Sequence, residues 1–237
     1  MFRTIVWYIY FWLYLIKLIP KYYKINRILK NGNIKEHDKI VHSMASKWSQ
    51  SLLKLAGAKI KVIGVENIPV NKSVLFVSNH QGSFDIPILL GCIDKPKSFV
   101  AKIEMLKMPL INKWMKHMNC VFLDRKDIRQ SLRVMNEASK YLKNGYSMIV
   151  FPEGTRSKGK KMGEFKAGSL KIASKAKVPI IPITVKGSYK LLEQNGFKIK
   201  PADVEVVISE PIETLNLNKT EFNLLNEKVY SIIKSKL

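Results

Sequence analysis

Hydrophobic residues run almost unbroken through the first part of the chain. Residues 2–19 read FRTIVWYIYFWLYLIKLI, with thirteen uncharged residues between Arg3 and Lys17. A helix needs about 20 apolar residues to cross the hydrocarbon core of a bilayer, whereas Trp and Tyr favour its interface with water. The run therefore predicts a helix inserted into one leaflet of a membrane, in preference to a full span. A buried helix of the main domain is the alternative.

A basic stretch and an amphipathic pattern follow this run. The basic residues are Lys21, Lys24, Arg27, Lys30 and Lys35. They would keep this side of the protein in the cytoplasm and attract anionic headgroups. Residues 36–56 place apolar side chains on one helical face, and Gly57 predicts the end of that helix. Residues 1–57 are therefore predicted to form a two-helix membrane-binding element at the cytoplasmic face of the cell membrane.

Beyond Gly57 the hydrophobic positions form short runs that alternate with helical patterns. The runs are AKIKVIGV, SVLFVSN, KSFVAK, NCVFLD, SMIVFP, PIIPITV and VEVVIS. Between the fourth and the fifth, residues 128–145 have helical spacing, and Asp127 is the predicted N-cap. Strands separated by helices indicate an α/β fold. We predict a mostly parallel or mixed central sheet, flanked by helices, in a domain of residues 58–237.

Polar side chains follow three of these predicted strands at the point where each strand ends. His80 comes after SVLFVS, Asp124 and Arg125 come after CVFL, and residues 152–156 come after SMIVF. Ligands of open α/β sheets bind outside the carboxyl ends of the strands. We therefore expect these three polar clusters to share one rim of the sheet.

The first cluster contains a histidine and an aspartate five positions apart. His80 and Asp85 would not meet on one regular helix, because positions i and i+5 point in different directions. A turn at residues 81–82 intervenes, and Ser83 is the predicted N-cap of a helix that has Asp85 in its first turn. This entrance could aim Asp85 at the imidazole and orient it as a general base. A helix cap beside a surface histidine is the alternative.

The third cluster, FPEGTRS at residues 151–157, has features of an anion site. Gly154 lets backbone N–H groups approach an anion, and Arg156 offers a planar fork for phosphate. Glu153 could either pair with an arginine or orient a substrate. The chain has no GxSxG or P-loop signature, so the simplest reaction is direct attack by a substrate hydroxyl.

The net charge of the chain indicates the kind of binding partner, and its cysteine content bears on metal binding. The chain has 41 Lys and Arg against 18 acidic residues, a net charge of +23, which favours an anionic partner. No nucleic-acid-binding motif is present, so a phospholipid surface or a phosphorylated substrate is preferred to nucleic acid. Cys92 and Cys120 lie in apolar contexts without metal-ligand spacing, so no metal is predicted.

Taken in order, four stretches resemble the motifs of the glycerolipid acyltransferases. They are NHQGSFD (79–85), VFLDR (121–125), FPEGTRS (151–157) and VPIIPI (178–183). The resemblance implies transfer of a fatty acyl group from acyl-CoA or acyl-carrier protein to the sn-2 hydroxyl of lysophosphatidic acid, which gives phosphatidic acid. It implies no cofactor other than the acyl donor as co-substrate.

The resemblance also implies roles for individual residues. His80 would deprotonate the hydroxyl, and Asp85 would hold His80. The proposed substrate-binding residues are Arg125 and Arg156 for the acceptor phosphate, Glu153, Gly154 and Thr155 for the shape of that pocket, and Lys102 as a further phosphate ligand. The motifs leave other acceptors open: glycerol 3-phosphate, another lysophospholipid or a lyso-aminolipid. The alternative of a different class is a non-catalytic basic protein that binds membranes.

Overall fold

The computed structural model describes residues 1–237, apart from the side chains of Ala167 and Lys219. The helices are α1 (Phe2–Lys17), α2 (Ile19–Lys30), α3 (Ile34–Ala56), α4 (Asp85–Cys92), α5 (Ile111–His117), α6 (Ile128–Lys143), α7 (Lys171–Ala176) and α8 (Lys219–Lys234). The strands are β1 (Ala58–Ile63), β2 (Leu75–Ser78), β3 (Lys97–Lys102), β4 (Val121–Leu123), β5 (Ser147–Val150), β6 (Ile180–Lys186) and β7 (Ala202–Ile208). Each of the predicted strands is therefore confirmed.

The strands form one mixed sheet in the order β1-β7-β6-β2-β5-β3-β4. All neighbouring pairs are parallel except β6 and β7. The central strands β2 and β5 are buried at every position, as expected for parallel strands that helices cover on both faces. Because β6, β2, β5, β3 and β4 run in the same direction, their carboxyl ends meet at one edge. This edge is called the rim below.

Two hydrophobic cores lie on opposite faces of the sheet. Phe76 faces the core that α1, α3 and α4 cover, whereas its neighbours Leu75 and Val77 face the core that α6, α7 and α8 cover. This alternation follows from the two-residue period of a strand. The predicted cap of α6 is confirmed, because the Asp127 carboxylate accepts a hydrogen bond from the Gln130 amide at 2.9 Å.

The N-terminal part has three helices, whereas the sequence predicts two. The first predicted helix, over the apolar run of residues 2–19, is α1, and an additional helix, α2, follows it at 41° across a break at Leu18. Pro20 explains the break, because proline lacks an amide hydrogen and is tolerated only in the first turn of a helix. The second predicted helix is α3, and it ends as predicted, with Gly57 in the left-handed conformation at φ 77°.

Helix α1 packs against the domain along one side. Trp7 is buried, and its indole nitrogen donates to the carbonyl oxygen of Leu52 at 2.9 Å. The Arg3 guanidinium donates to the carbonyl oxygen of Ala56 at 3.0 Å, and the Trp7 ring lies 5.4 Å from that of Phe84. The alternative interpretation of a helix packed on the domain therefore holds for this side of α1.

The opposite side of α1 is an exposed apolar face. It consists of Phe2, Ile5, Ile9, Leu13 and Ile16, each more than half exposed. The spacing of three or four residues places these side chains on one side of the helix. Within the described chain, no single helix combines the length and hydrophobicity that crossing a bilayer requires, although the bent pair α1–α2 meets both by length and composition.

Candidate active site

The first and third polar clusters both lie at the rim, as predicted. His80 follows β2, and residues 152–157 follow β5, the neighbouring strand. The two loops bind each other through their backbones: the Ser157 amide donates to the carbonyl oxygen of His80 at 2.8 Å, and the Lys158 amide donates to that of Gln81 at 3.0 Å. The loop after β5 therefore supports the loop that carries His80.

His80 and Asp85 are in direct contact at this rim. The Nδ1 atom of His80 lies 2.6 Å from Oδ2 of Asp85, and Asp85 is fully buried. Oδ2 also accepts the backbone amides of Gln81 at 2.7 Å and Gly82 at 2.9 Å, while Oδ1 accepts the hydroxyl of Ser188. These contacts place the Asp85 carboxylate in one position, and the helix-cap alternative does not account for its bond to the imidazole.

The predicted cap at Ser83 is wrong. Helix α4 begins at Asp85, and the residue before it, Phe84, makes no side-chain cap. The Ser83 hydroxyl instead donates to Oε1 of Glu193 at 2.9 Å. The reason is that the fold brings the Glu193 carboxylate to Ser83, and the hydroxyl binds that acceptor instead of the first helical turn.

The imidazole of His80 presents one nitrogen for chemistry. A carboxylate only accepts hydrogen bonds, so Nδ1 of His80 carries the hydrogen that it donates to Asp85. In the neutral imidazole, Nε2 then has a free lone pair. The ring stacks on Phe151 with centroids 4.1 Å apart, and the side chain is 17% exposed. Among the side chains that the structure describes, none hydrogen-bonds Nε2, which is therefore positioned to accept a proton from a substrate.

Glu153 holds the backbone of the histidine loop. Its Oε1 accepts the His80 amide at 2.6 Å, and its Oε2 accepts the Gly163 amide at 2.8 Å. Burial raises the pKa of Glu153 above its usual value, an effect that the two amides and His80 oppose. The alternative of an ion pair with an arginine is not found among the described side chains. Glu153 thus orients the backbone of the loop that carries His80.

Arg156 has an acidic partner that was not predicted from the sequence. Its Nη1 lies 3.3 Å from Oε1 of Glu193 and donates to the Ser83 hydroxyl. Gly82 makes room for this carboxylate, because a Cβ atom there would lie 2.5 Å from Oε2 of Glu193. One nitrogen of the Arg156 fork is therefore already bound to the protein.

Arg125 forms a cationic site together with a residue that the sequence did not indicate. Gly154 has φ 72°, and a Cβ atom there would lie 3.4 Å from both Cζ of Arg125 and Nζ of Lys166. The loops after β4 and β5 therefore bring two cations to one glycine. Thr155 is exposed beside them, and Lys102 is exposed at the end of β3, the strand between β4 and β5.

Three supporting residues were missed by reasoning from the sequence. Phe151 stacks on His80, Ser188 binds Asp85, and Glu193 binds Ser83 and Arg156. Ser188 is 103 residues from Asp85 along the chain. No local pattern could indicate such a contact, because it depends on the order of the strands in the sheet.

Comparison with known proteins identifies the family. The Acyltransferase family profile matches residues 59–186, more than half of the chain, and the chain belongs to this family. The probable 1-acyl-sn-glycerol-3-phosphate acyltransferase of Mycoplasma pneumoniae is 37% identical over 182 residues, which cover 71% of this chain and 67% of that protein. The protein of the same description from Mycoplasma genitalium is 35% identical over 207 residues, which cover 82% of this chain and 75% of that protein.

A solved structure matches almost the whole chain. The 1-acyl-sn-glycerophosphate (LPA) acyltransferase PlsC from Thermotoga maritima superposes with a TM-score of 0.77 at 31% identity. The match covers 99% of this chain and 95% of that one, so it includes the N-terminal helices as well as the sheet. The predicted α/β fold and the resemblance to the glycerolipid acyltransferases are confirmed.

Proposed function

We propose that this protein transfers a fatty acyl group from a thioester donor to the sn-2 hydroxyl of lysophosphatidic acid, which gives phosphatidic acid. The observation that carries the proposal is the contact between Nδ1 of His80 and the buried Asp85 carboxylate, in a chain of the Acyltransferase family. The names of the relatives from two mycoplasmas and of the Thermotoga protein support this choice of acceptor.

The reaction follows from the orientation of the imidazole. Nε2 of His80 takes the proton of the acceptor hydroxyl as its oxygen attacks the thioester carbon. Asp85 stabilises the imidazolium that forms, because its carboxylate faces Nδ1. This attack forms the new C–O bond and a tetrahedral intermediate. Its collapse restores the carbonyl group and breaks the C–S bond, and the proton on His80 passes to the departing thiolate. The dyad is restored without a covalent intermediate on the enzyme.

The acceptor phosphate is assigned to the cations beside Gly154. Arg125 and Lys166 have no ion pair among the described side chains, whereas one Arg156 nitrogen is bound to Glu193 and Ser83. A planar guanidinium binds phosphate oxygens in pairs. Arg125 is therefore the first phosphate ligand, Lys166 assists it, and Arg156 contributes with the nitrogens that remain. Lys102, at the end of β3, and Thr155, next to Gly154 in the chain, are further candidates for contact with the phosphate.

Loss of Arg125 should weaken binding of the acceptor selectively. We expect Arg125→Ala to raise the KM for lysophosphatidic acid by about 10- to 100-fold, since a hydrogen bond to a charged group contributes about 1.5–3 kcal/mol, with little change in the KM for the donor. Arg125→Lys should rescue poorly, because an ammonium does not reproduce the fork. Arg156→Ala should also lower the melting temperature, since it removes the partner of Glu193. Unchanged acceptor kinetics in Arg125→Ala would place the phosphate elsewhere.

An acceptor panel tests the proposed activity directly. The purified protein in detergent is given lysophosphatidic acid, glycerol 3-phosphate, another lysophospholipid and a lyso-aminolipid, each with acyl-CoA and with acyl-carrier protein. EDTA in a parallel series tests the expectation that no metal is needed. Mass spectrometry of the products should show phosphatidic acid as the main product. Preferential acylation of another acceptor would refute the assignment, and absence of any product would refute acyl transfer itself.

The exposed apolar face of α1 supports a monotopic attachment to the cytoplasmic leaflet. Its five apolar side chains point away from the domain, and the basic residues of α2 begin directly after it. Burial of such side chains in lipid contributes about 1.5 kcal/mol or more each, and the nearby cations add attraction to anionic headgroups. Insertion of this face into a membrane would hold the enzyme at the surface that contains its lipid substrate.

Charged substitutions on this face should detach the protein from vesicles. We expect Ile9→Glu with Leu13→Glu to reduce partitioning onto anionic liposomes by about a hundredfold at high salt, given the loss of two buried side chains. Deletion of α1 is a poorer test, because it would also remove Trp7 from the core. Liposome flotation at low and high salt measures the effect.

A matched control is available on α6. Ile128 and Leu132 have the same spacing and are 77% and 62% exposed, so Ile128→Glu with Leu132→Glu introduces the same charges elsewhere. The control should float like the original protein. Equal loss in both variants, or full binding of the α1 variant at high salt, would contradict attachment through α1.

A further inference from the structure

A second cationic region lies at the rim, apart from Arg125 and Lys166. It is a cleft of about 420 Å³, called the lysine cleft below. Its lining lysines are Lys160, Lys161, Lys186, Lys190 and Lys234. They come from the loop after β5, from the end of β6 and the turn after it, and from the end of α8. Only the tertiary structure brings these separate segments together.

The charge of the lysine cleft is not balanced by acidic side chains. No aspartate or glutamate is found among the described residues that line it. A neighbouring cleft, which shares Lys186 and Lys190, does contain Asp203 and Glu205, and Glu205 pairs with Lys61 there. Like charges that converge without acidic partners raise the local concentration of anions. The lysine cleft is therefore suited to an anionic ligand.

Its position relates the lysine cleft to the reaction. In the sheet, β2 lies between β6 on one side and β5, β3 and β4 on the other. His80 follows β2, so it stands between Lys186 at the end of β6 and Arg125 after β4. Gln81 borders the lysine cleft, and the Gln81 amide binds the Asp85 carboxylate. The cleft thus begins one residue from the base, and its Lys186 follows β6, whereas Arg125 follows β4 on the other side of β2.

We propose that the lysine cleft binds the phosphorylated nucleotide of acyl-CoA, an inference that rests on the proposed function. Direct transfer requires donor and acceptor to meet at His80, and the two cationic regions on its two sides match two anionic substrates. A concave cleft of this volume is in the range of small-molecule sites, and lysine is a good point-charge ligand for phosphate. Tyr189 and Tyr230 in its wall offer ring surface to a base. The pantetheine arm would then extend past Gln81 towards His80.

The test compares a donor that carries phosphates with one that lacks them. Lys190→Gln with Lys234→Gln removes two exposed cations from two different elements. We expect the ratio of kcat/KM for acyl-CoA to that for the acyl-pantetheine thioester to fall roughly tenfold, because two contacts between exposed charges are lost and each contributes modestly. The KM for lysophosphatidic acid should stay within twofold.

The matched control removes the same charge from the opposite edge of the sheet. Lys140 and Lys143 are exposed at the end of α6, just before β5 begins. Lys140→Gln with Lys143→Gln should leave the donor ratio unchanged. An equal fall in this control would show a general effect of net charge and would overturn the assignment. If Lys190→Gln with Lys234→Gln lowered kcat/KM for acyl-carrier protein and not for acyl-CoA, the nucleotide would not be the occupant of the cleft.

A binding measurement separates this inference from the proposed function. Adenosine 3′,5′-bisphosphate, the nucleotide part of coenzyme A, is titrated into the full-length protein in a calorimeter, without any turnover. We expect binding that weakens about tenfold in Lys190→Gln with Lys234→Gln and is unchanged in the α6 control. Binding without catalytic activity would count against the proposed reaction and in favour of the cleft. Activity with acyl-CoA, without nucleotide binding and with an unchanged donor ratio, would overturn the cleft.

Discussion

Replacement of His80 by alanine should abolish acyl transfer while the protein stays folded. Nε2 of His80 is the proposed acceptor of the hydroxyl proton, and general-base help contributes about 10²–10⁴ in rate. The side chain is partly exposed at the rim, so its loss creates no cavity in either core. The Asp85 carboxylate keeps the amides of Gln81 and Gly82 and the hydroxyl of Ser188. Steady-state rates with lysophosphatidic acid and a saturating donor measure the effect.

His42 provides the control for this variant. It is also a histidine that hydrogen-bonds an aspartate, with Nε2 3.2 Å from Oδ1 of Asp94, but it lies on α3. His42→Ala should keep the rate within a few-fold of the original, and the melting temperatures of both variants should show folded protein. Near-normal turnover in His80→Ala would refute the proposed mechanism.

Replacement of Asp85 by asparagine should also reduce the rate by about 10²–10⁴, and mainly through kcat. An amide of the same shape can still accept hydrogen bonds from Nδ1 of His80 and from the two backbone amides if its oxygen takes the place of Oδ2. Its NH₂ group would then face Ser188, whose hydroxyl can reverse and accept. The fold is therefore retained, but the negative charge that stabilises the imidazolium is lost.

Ser188→Ala is the matched control for the loss of charge. It removes the hydroxyl that binds Oδ1 of Asp85 while the carboxylate and its contact with His80 remain. We expect a loss of about 1–3 kcal/mol in unfolding free energy and a much smaller loss of rate than in Asp85→Asn. If Asp85→Asn kept the original kcat, or if Ser188→Ala were equally inactive, the charge of Asp85 would not be the cause.

The residues that reasoning from the sequence found are those whose signals are local. The strands were predictable because buried parallel strands are short continuous hydrophobic runs. His80 and Asp85 were predictable because one tight turn joins the end of β2 to the start of α4. The α6 cap at Asp127 was found in the same way. Helix α2 was not predicted, because its basic residues were interpreted as a headgroup-binding stretch, although Pro20 in its first turn is a local signal of a helix start.

The errors concern partners that are distant along the chain. Serine is a residue type that often caps helices, yet the Ser83 hydroxyl binds Glu193, 110 residues away. For Glu153 the sequence left an arginine partner and a substrate-orienting role open, and the structure shows a partner that neither alternative included, the His80 amide 73 residues away. A side chain binds whichever complementary group the fold brings to it, and local propensity carries no information about that group.

The sequence by itself determined the seven strands, the α/β class, the apolar run of α1 and the pair His80–Asp85, since each depends on residues within one element or one turn. The tertiary structure decided which side of α1 packs on the domain and which stays exposed. It also decided that Arg156 is held by Glu193, that Lys166 joins Arg125, and that separate lysines converge in one cleft. These contacts depend on strand order, because the sheet order β6-β2-β5-β3-β4 sets which loops are neighbours at the rim.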